Sequence, residues 1–268
     1  MRRLTFWCLL AGLTFGLPSA ALADEWTKTF TISAKPDLTI QTSDASITVN
    51  TWDQNTIEAR VVTEGWKIGG RGVSISDHQA GDVVELEVKT PGEVCVICVH
   101  ISVHHRAEVQ IHMPREGKLN LRTGDGRIRL AHFKGDMQVV SRDGSQEMNA
   151  VDGTLRAHAG DGHIEADGRF DALDLSTRDG RIRVSAERGS TLAHNWNFQA
   201  GDGSIVLTVP SDFPADLDLH TGDGHIILEI PVAVNGRLTE KTIHGKMNGG
   251  GNLLTIHTGD GSITIQKS

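Results

Sequence analysis

Between residues 119 and 184, apolar and polar positions alternate in one sentence written four times: LNLRTGDGRIRL, MQVVSRDGSQEM, LRAHAGDGHIEA and LDLSTRDGRIRV. Counted from the Asp of each copy, apolar residues fall at −6, −4, +3 and +5, a small residue at −2 and Gly at +1. Asp125, Asp143, Asp161 and Asp179 are spaced 18 residues apart. The template recurs as LTIQTSDASITV around Asp44, WNFQAGDGSIVL around Asp202, LDLHTGDGHIIL around Asp223 and LTIHTGDGSITI around Asp260. Of the 32 apolar slots in these eight copies, 31 hold an apolar residue, so the pattern is structural rather than compositional; the exception is Gln146.

Spacing by two on each side of a central Asp-Gly predicts strand, tight corner, strand, with one face of each strand buried. Two topologies compete. Asp-Gly between alternating arms is an ordinary antiparallel hairpin signal. A constant 18-residue beat with a second loop after +5 favours instead a parallel β-solenoid, one coil per copy, stacking equivalent residues at roughly 4.8 Å. The fold expected is all-β, a right-handed solenoid by the usual rule for parallel crossovers. Leu121, Val139, Ala157 and Leu175 should form one inward column, and Ile128, Ile164 and Ile182 a second.

The rest of the chain divides around this core. Residues 1–23 carry MRR, a short apolar run and Ala21-Leu22-Ala23, the features of a secretory signal peptide cleaved after Ala23. Phe6-Trp7 before Cys8 do not fit a lipoprotein signal, and no later apolar run reaches about 18 residues. Residues 24–115 form an N-terminal β region. It holds the first copy and then, over 63–115, β-type runs without the 18-residue beat, an inserted or capping sheet. Residues 116–268 carry the regular repeats, with spacings lengthening to 23 and 21 residues after Asp179 and Pro210, Pro214 and Pro231 marking longer loops. NGGGN at 248–252 reads as a loop. The chain ends on a strand, so a last coil left exposed would need a cover against edge pairing.

Without the leader, 24 basic residues face 34 acidic ones, a net charge of −10 that argues against nucleic acid as partner. Tyr is absent and four Trp remain, which weakens a lectin reading. The recurrent T-x-D-G-x-I-x-L copies resemble the bacterial β-strand-repeat proteins of unknown function usually labelled "putative adhesins". The likeness runs from FTI near residue 30 to TGDGSITI at the C-terminus. It implies an exported or envelope-associated protein, and since that family has no agreed catalytic residues it transfers none.

Candidate chemistry is weighed against plainer roles. Stacked aspartates suggest Ca²⁺, but calcium β-rolls use a different nonapeptide. The plainer reading has each Asp accepting a hydrogen bond from its own corner while Gly adopts a conformation unfavourable to a Cβ. Acid/base pairs of a glycosidase would stand out as a unique cluster, and the repeats show none; no G-x-S-x-G elbow is present. Cys95 and Cys98 are the only cysteines after the leader. An oxidising compartment favours a disulfide, although three residues along a straight strand is beyond its reach; free or buried thiols, or a zinc site with two of His100, His104 and His105, stay open. Histidines at −3, His158, His220 and His257, look outward, with Ser176 and Gln199 interrupting the column.

Beside the corner stand Arg127, His163, Arg181 and His225 at +2, and Arg142 and Arg178 just before their Asp. Either these bases neutralise the Asp column, or they form a rim that docks an anionic envelope polymer or a surface protein. The reading overall is an exported, non-enzymatic solenoid acting as a binding scaffold, without cofactor or metal. A solenoid carbohydrate-active enzyme and a purely structural envelope protein are the alternatives.

Overall fold

The computed structural model describes residues 23–91 and 105–268, and the side chains of 234–238 lie outside that description. Residues 1–22 of the leader, Cys95, Cys98, His100 and His104 fall outside the described residues. Among the described residues there are twenty-one strands. The N-terminal region holds β1 (Ala23–Thr31), β2 (Asp37–Thr42), β3 (Ser46–Trp52), β4 (Thr56–Glu64), β5 (Ser74–Ala80), β6 (Val83–Lys89) and β7 (Arg106–Pro114). The regular repeats follow as β8 (Glu116–Thr123), β9 (Ile128–Ala131), β10 (Lys134–Ser141), β11 (Gln146–Ala159), β12 (Ile164–Thr177) and β13 (Ile182–Ala186). Then come β14 (Trp196–Ala200), β15 (Ile205–Val209), β16 (Ala215–Thr221), β17 (Ile226–Leu228), β18 (Val232–Leu238), β19 (Thr242–Met247), β20 (Leu253–Thr258) and β21 (Ile263–Lys267). No helix among the described residues is long and apolar enough to cross a membrane.

Each copy of the repeat is one layer with a strand before the Asp-Gly corner and a strand after it. Neighbouring layers pair in parallel: Leu119 faces Met137 and Met137 faces Leu155, Gln146 faces Ile164 and Ile164 faces Ile182. In these central layers the offset is the 18 residues of the sequence beat, and the antiparallel hairpin alternative does not occur between copies. Leu121, Val139, Ala157 and Leu175 are all buried in one column, Ile128, Ile164 and Ile182 in another. Burying such columns is what fixes the register, since a slip of one residue would turn every apolar side chain outward.

Two features of the corner correct the sequence expectation. Gly at +1 is not there for its dihedral freedom, because none of Gly126, Gly144, Gly162, Gly180 and Gly203 has a left-handed φ. It is there for space: a Cβ on Gly144 would lie 1.9 Å from the Gly126 carbonyl oxygen of the layer beneath, and one on Gly203 1.7 Å from that of Gly180. The corner is also clamped from inside by the −2 hydroxyl rather than from outside by Asp. The Thr123 hydroxyl donates to the Ala45 carbonyl at 3.0 Å, Ser141 to Gly144 at 2.5 Å and Thr258 to Gly203 at 2.8 Å. The next layer has Ala159 at −2 and no hydroxyl to offer. Gln146 accounts for its own exception: buried in a core slot, its amide donates to Ser141 Oγ at 2.9 Å and to the His158 carbonyl at 2.7 Å.

The layers do not stack in chain order at either end. The Asp44 layer lies between the Asp125 layer (Leu38 beside Leu119, Ile47 beside Ile128) and a layer made of β6 and β7 (Leu38 beside Val84, Ile47 beside Val109). Antiparallel β5 extends β6, and antiparallel β4 and then β1 extend β7, so strands from 23–31, 56–64 and 74–80 flank the layer at this end. At the other end the last copy is not last. β20 and β21 of the Asp260 layer insert between β14 and β15 of the Asp202 layer and β16 and β17 of the Asp223 layer. Antiparallel β19 and then β18 extend β16. The expectation of an exposed final coil is therefore corrected: the chain's closing strand is paired on both edges, which leaves it no free edge to recruit another chain.

Candidate basic rim at the Asp-Gly corner

Parallel stacking lines up the residues at −1, 0 and +2 of each layer on one edge. Asp44, Asp125, Asp143, Asp161 and Asp179 follow one another along it, and like charges one layer apart repel by roughly 1 kcal/mol even in water. Arginines from the next layer answer that repulsion. Arg142 places Nε 3.2 Å and Nη2 2.8 Å from Asp125 Oδ1, and it also lies 3.6 Å from Asp143 and 3.9 Å from Asp44. One guanidinium therefore serves three consecutive carboxylates. Arg178 pairs in the same way with Asp161 and, at 3.5 Å, with Asp179. The hydrogen bond to Asp125 pushes the Arg142 guanidinium above its ordinary pKa, and that to Asp161 does the same for Arg178, so both stay charged. Among the described residues no corner amide donates to a carboxylate of this column, which corrects the expected Asp-capped turn.

The six bases of the expected rim thus separate into two groups. Arg142 and Arg178 are engaged by the aspartates. Arg127 and Arg181 are exposed and, among the described residues, have no carboxylate within ion-pair distance. Ser145 and His163 lie between them on successive layers. His163 Nδ1 accepts a 3.0 Å hydrogen bond from the Arg181 amide, which ties this ring to the neighbouring layer of the rim. His225 does not belong to the same stretch. Its layer is separated from that of Arg181 by those of Asp202 and Asp260, whose +2 residues are Ser204 and Ser262.

The structure adds bases that sequence reading missed. Pairing of β7 with β3 sets Glu108 beside Ser46 and brings Arg106, two residues earlier on β7, to the same edge, where Ser46 and Arg106 line a shallow groove of about 410 Å³ with Arg127, Arg129, Asp125 and Asp143. Arg129 leans toward Glu147 at 3.5 Å, whereas Arg106 has no ion-pair partner among the described residues. Arg106 opens its strand in the region without the 18-residue beat and carries no repeat signature, so nothing in the sequence marked it. The opposite corner contrasts with this edge: Glu116, Lys134, Asp152 and Arg169 alternate in sign from layer to layer and neutralise one another. Arg169 also binds Asp171 with two hydrogen bonds of 2.6 and 2.8 Å, which hold the Asp171 carboxyl below its usual range. Groups of three or more metal-binding side chains already converged on one point are absent among the described residues.

Comparison with solved structures finds a "putative cell adhesion protein" from Clostridium sporogenes, 13% identical, covering 92% of this chain and all of that one, with a TM-score of 0.46. It also finds a "putative lipid binding protein" from Parabacteroides distasonis, 12% identical over 90% of this chain and 96% of the other, TM-score 0.43. A "putative adhesin" from Bacteroides fragilis is 9% identical over 91% of this chain and 97% of its own, TM-score 0.29. Likenesses at this level carry no function across. Comparison with curated proteins finds no match. The repeat itself is diagnostic: a family model described as Toastrack DUF4097 matches residues 37–266, from the first layered strand to the last, and the chain belongs to that family.

Proposed function

We propose that this protein is an exported, non-enzymatic scaffold of the bacterial envelope or surface, a right-handed β-solenoid of one 18-residue coil per copy, whose basic edge docks an anionic polymer. The observation that carries the reading is the division of labour among the arginines. Arg142 and Arg178 already balance the aspartates, which leaves Arg127, Arg181 and Arg106 as surplus positive charge on a chain whose net charge is strongly negative. Surplus charge set along one edge of rigid, stacked strands is suited to binding along an extended face.

The test uses the leader-free protein and two surfaces of defined chemistry, dextran sulfate and vesicles containing phosphatidylglycerol. Retention should fall with added salt, since exposed charges are screened beyond about 10 Å at 0.1 M. Changing Arg127 and Arg181 to Gln together should release the protein at lower salt. Changing Arg142 and Arg178 to Gln should mainly weaken the fold. Equal retention of parent and a folded Arg127→Gln/Arg181→Gln variant on both surfaces would remove the docking role and leave charge balance alone.

A further inference from the structure

Insertion of the last copy between its two predecessors assembles a cluster that the order of the sequence conceals. β20 runs beside β16 with His257 directly opposite His220, and on the other flank β19 sets His244 opposite Asp218. Asp218 and His220 are two apart on one strand and so share its outward face. Three imidazoles and one carboxylate therefore stand together where β19, β16 and β20 meet.

His244 Nδ1 lies 3.3 Å from Asp218 Oδ1, and His257 Nε2 lies 3.6 Å from Oδ2. The His220 and His257 rings meet edge to face with centroids 6.0 Å apart. His257 Nε2 is shielded from solvent and has no hydrogen-bond partner, an unsatisfied nitrogen aimed at the carboxylate. His220 Nδ1 is held by Thr242 Oγ1 at 3.1 Å, which leaves Nε2 of that ring for another partner. With metal-to-ligand bonds of about 2.0–2.1 Å, the edges of a tetrahedral shell are about 3.4 Å long, the spacing already present between the two histidines and Asp218.

We propose that Asp218, His244 and His257, with His220 completing the shell, bind one divalent transition metal, zinc being the best match. Imidazole nitrogen with a single carboxylate is a donor set for zinc and its first-row neighbours, whereas calcium and magnesium take oxygen. The ligands are not preassembled. The side chains of Asp218, His257 and His244 are 33%, 42% and 52% exposed, so an ion from solvent can reach the cluster. Bound metal would tie three strands at the closing end: the inserted copy, the layer it supports and the antiparallel cover.

The experiment is a titration of the leader-free, untagged protein with Zn²⁺ alone, followed by calorimetry and by thermal unfolding. It uses a Cys95→Ser/Cys98→Ser background so that those thiols cannot compete. One equivalent should bind and the unfolding midpoint should rise, reversibly with EDTA, and both effects should fade as the pH is lowered and the imidazoles take up protons. His244→Asn and His257→Asn should each weaken binding at least about tenfold, while His158→Asn, on the same face outside the cluster, should leave it unchanged. Absence of saturable one-equivalent binding by the parent overturns the proposal, as does unchanged affinity in a His244→Asn/His257→Asn protein. A midpoint that follows pH but not Zn²⁺ overturns it too and leaves the cluster a proton-sensitive contact only.

Discussion

The central layers and the C-terminal end are written in the same repeat yet are assembled by different rules. From Asp125 to Asp179 each layer stacks on the one before it in sequence, at a constant offset and with arginines at Arg142 and Arg178 bridging the aspartates. From Asp202 onward the order becomes Asp202, Asp260, Asp223; the residues before those aspartates are Gly201, Gly259 and Gly222, and Lys241 from the covering segment pairs with Asp223 at 2.9 Å. Burial also differs. All four core slots of the Asp179 layer are buried, whereas Ile226 and Leu228 of the outermost layer are only partly covered and Ile227 is exposed. Equivalent repeats specify that they pair with a copy of themselves, but not with which copy. Loop length and the need to cover the ends decide that.

If that comparison holds, the largest contrast comes from removing whole layers. Deleting residues 252–268 takes out the layer that supports strands on both sides, and the C-terminal part beyond about residue 190 should lose protection in limited proteolysis with a matching loss of β-sheet circular dichroism. Excising residues 134–151 removes one full central layer and joins equivalent positions, so a shorter stack should still fold cooperatively. A folded, protease-resistant 252–268 deletion would show that the inserted layer is dispensable.

Next in size is a charge placed in the same slot of two layers. Ile164→Asp buries an unpaired carboxylate between two paired strands and should cost several kcal/mol. Ile226→Asp, at the partly covered end, should cost only about 1 kcal/mol. Urea unfolding of both variants measures the difference, and equal losses would mean that the closing end is as tightly packed as the centre.

The smallest effect concerns the self-neutralising corner. Asp171 is held below its ordinary pKa chiefly by the hydrogen bond from Arg169. A carboxyl whose folded pKa is depressed contributes stability that is present above its unfolded value, about 3.9, and is lost as pH falls through the folded value. Arg169→Gln should therefore lower stability at pH 7, and parent and variant should converge below about pH 4. A constant gap across that range would assign the role of Arg169 to packing of its stem.

Much of this molecule was legible in its sequence. Apolar slots two apart, Asp-Gly between them and the 18-residue beat determined the strands, the inward columns and the parallel pairing of successive copies, because a side chain's face follows from its position along a strand. Gln146 and the −2 hydroxyls were visible as departures and as small residues, but the bonds from Thr123 to Ala45, from Thr258 to Gly203 and from Gln146 to His158 cross from one layer to the next and have no local trace. The fate of the rim bases was equally hidden: Arg142 at −1 and Arg127 at +2 both stand beside the corner, and only the distance to a carboxylate one layer away separates the engaged base from the surplus one. What tertiary structure alone decided is the order of layers at the two ends, where the first and the last copies each sit one place inside. The reason is physical: the backbone edges of all copies are chemically equivalent, so neighbour choice depends on leaving no long free edge. That choice in turn brought His220 beside His257 and Arg106 into the groove.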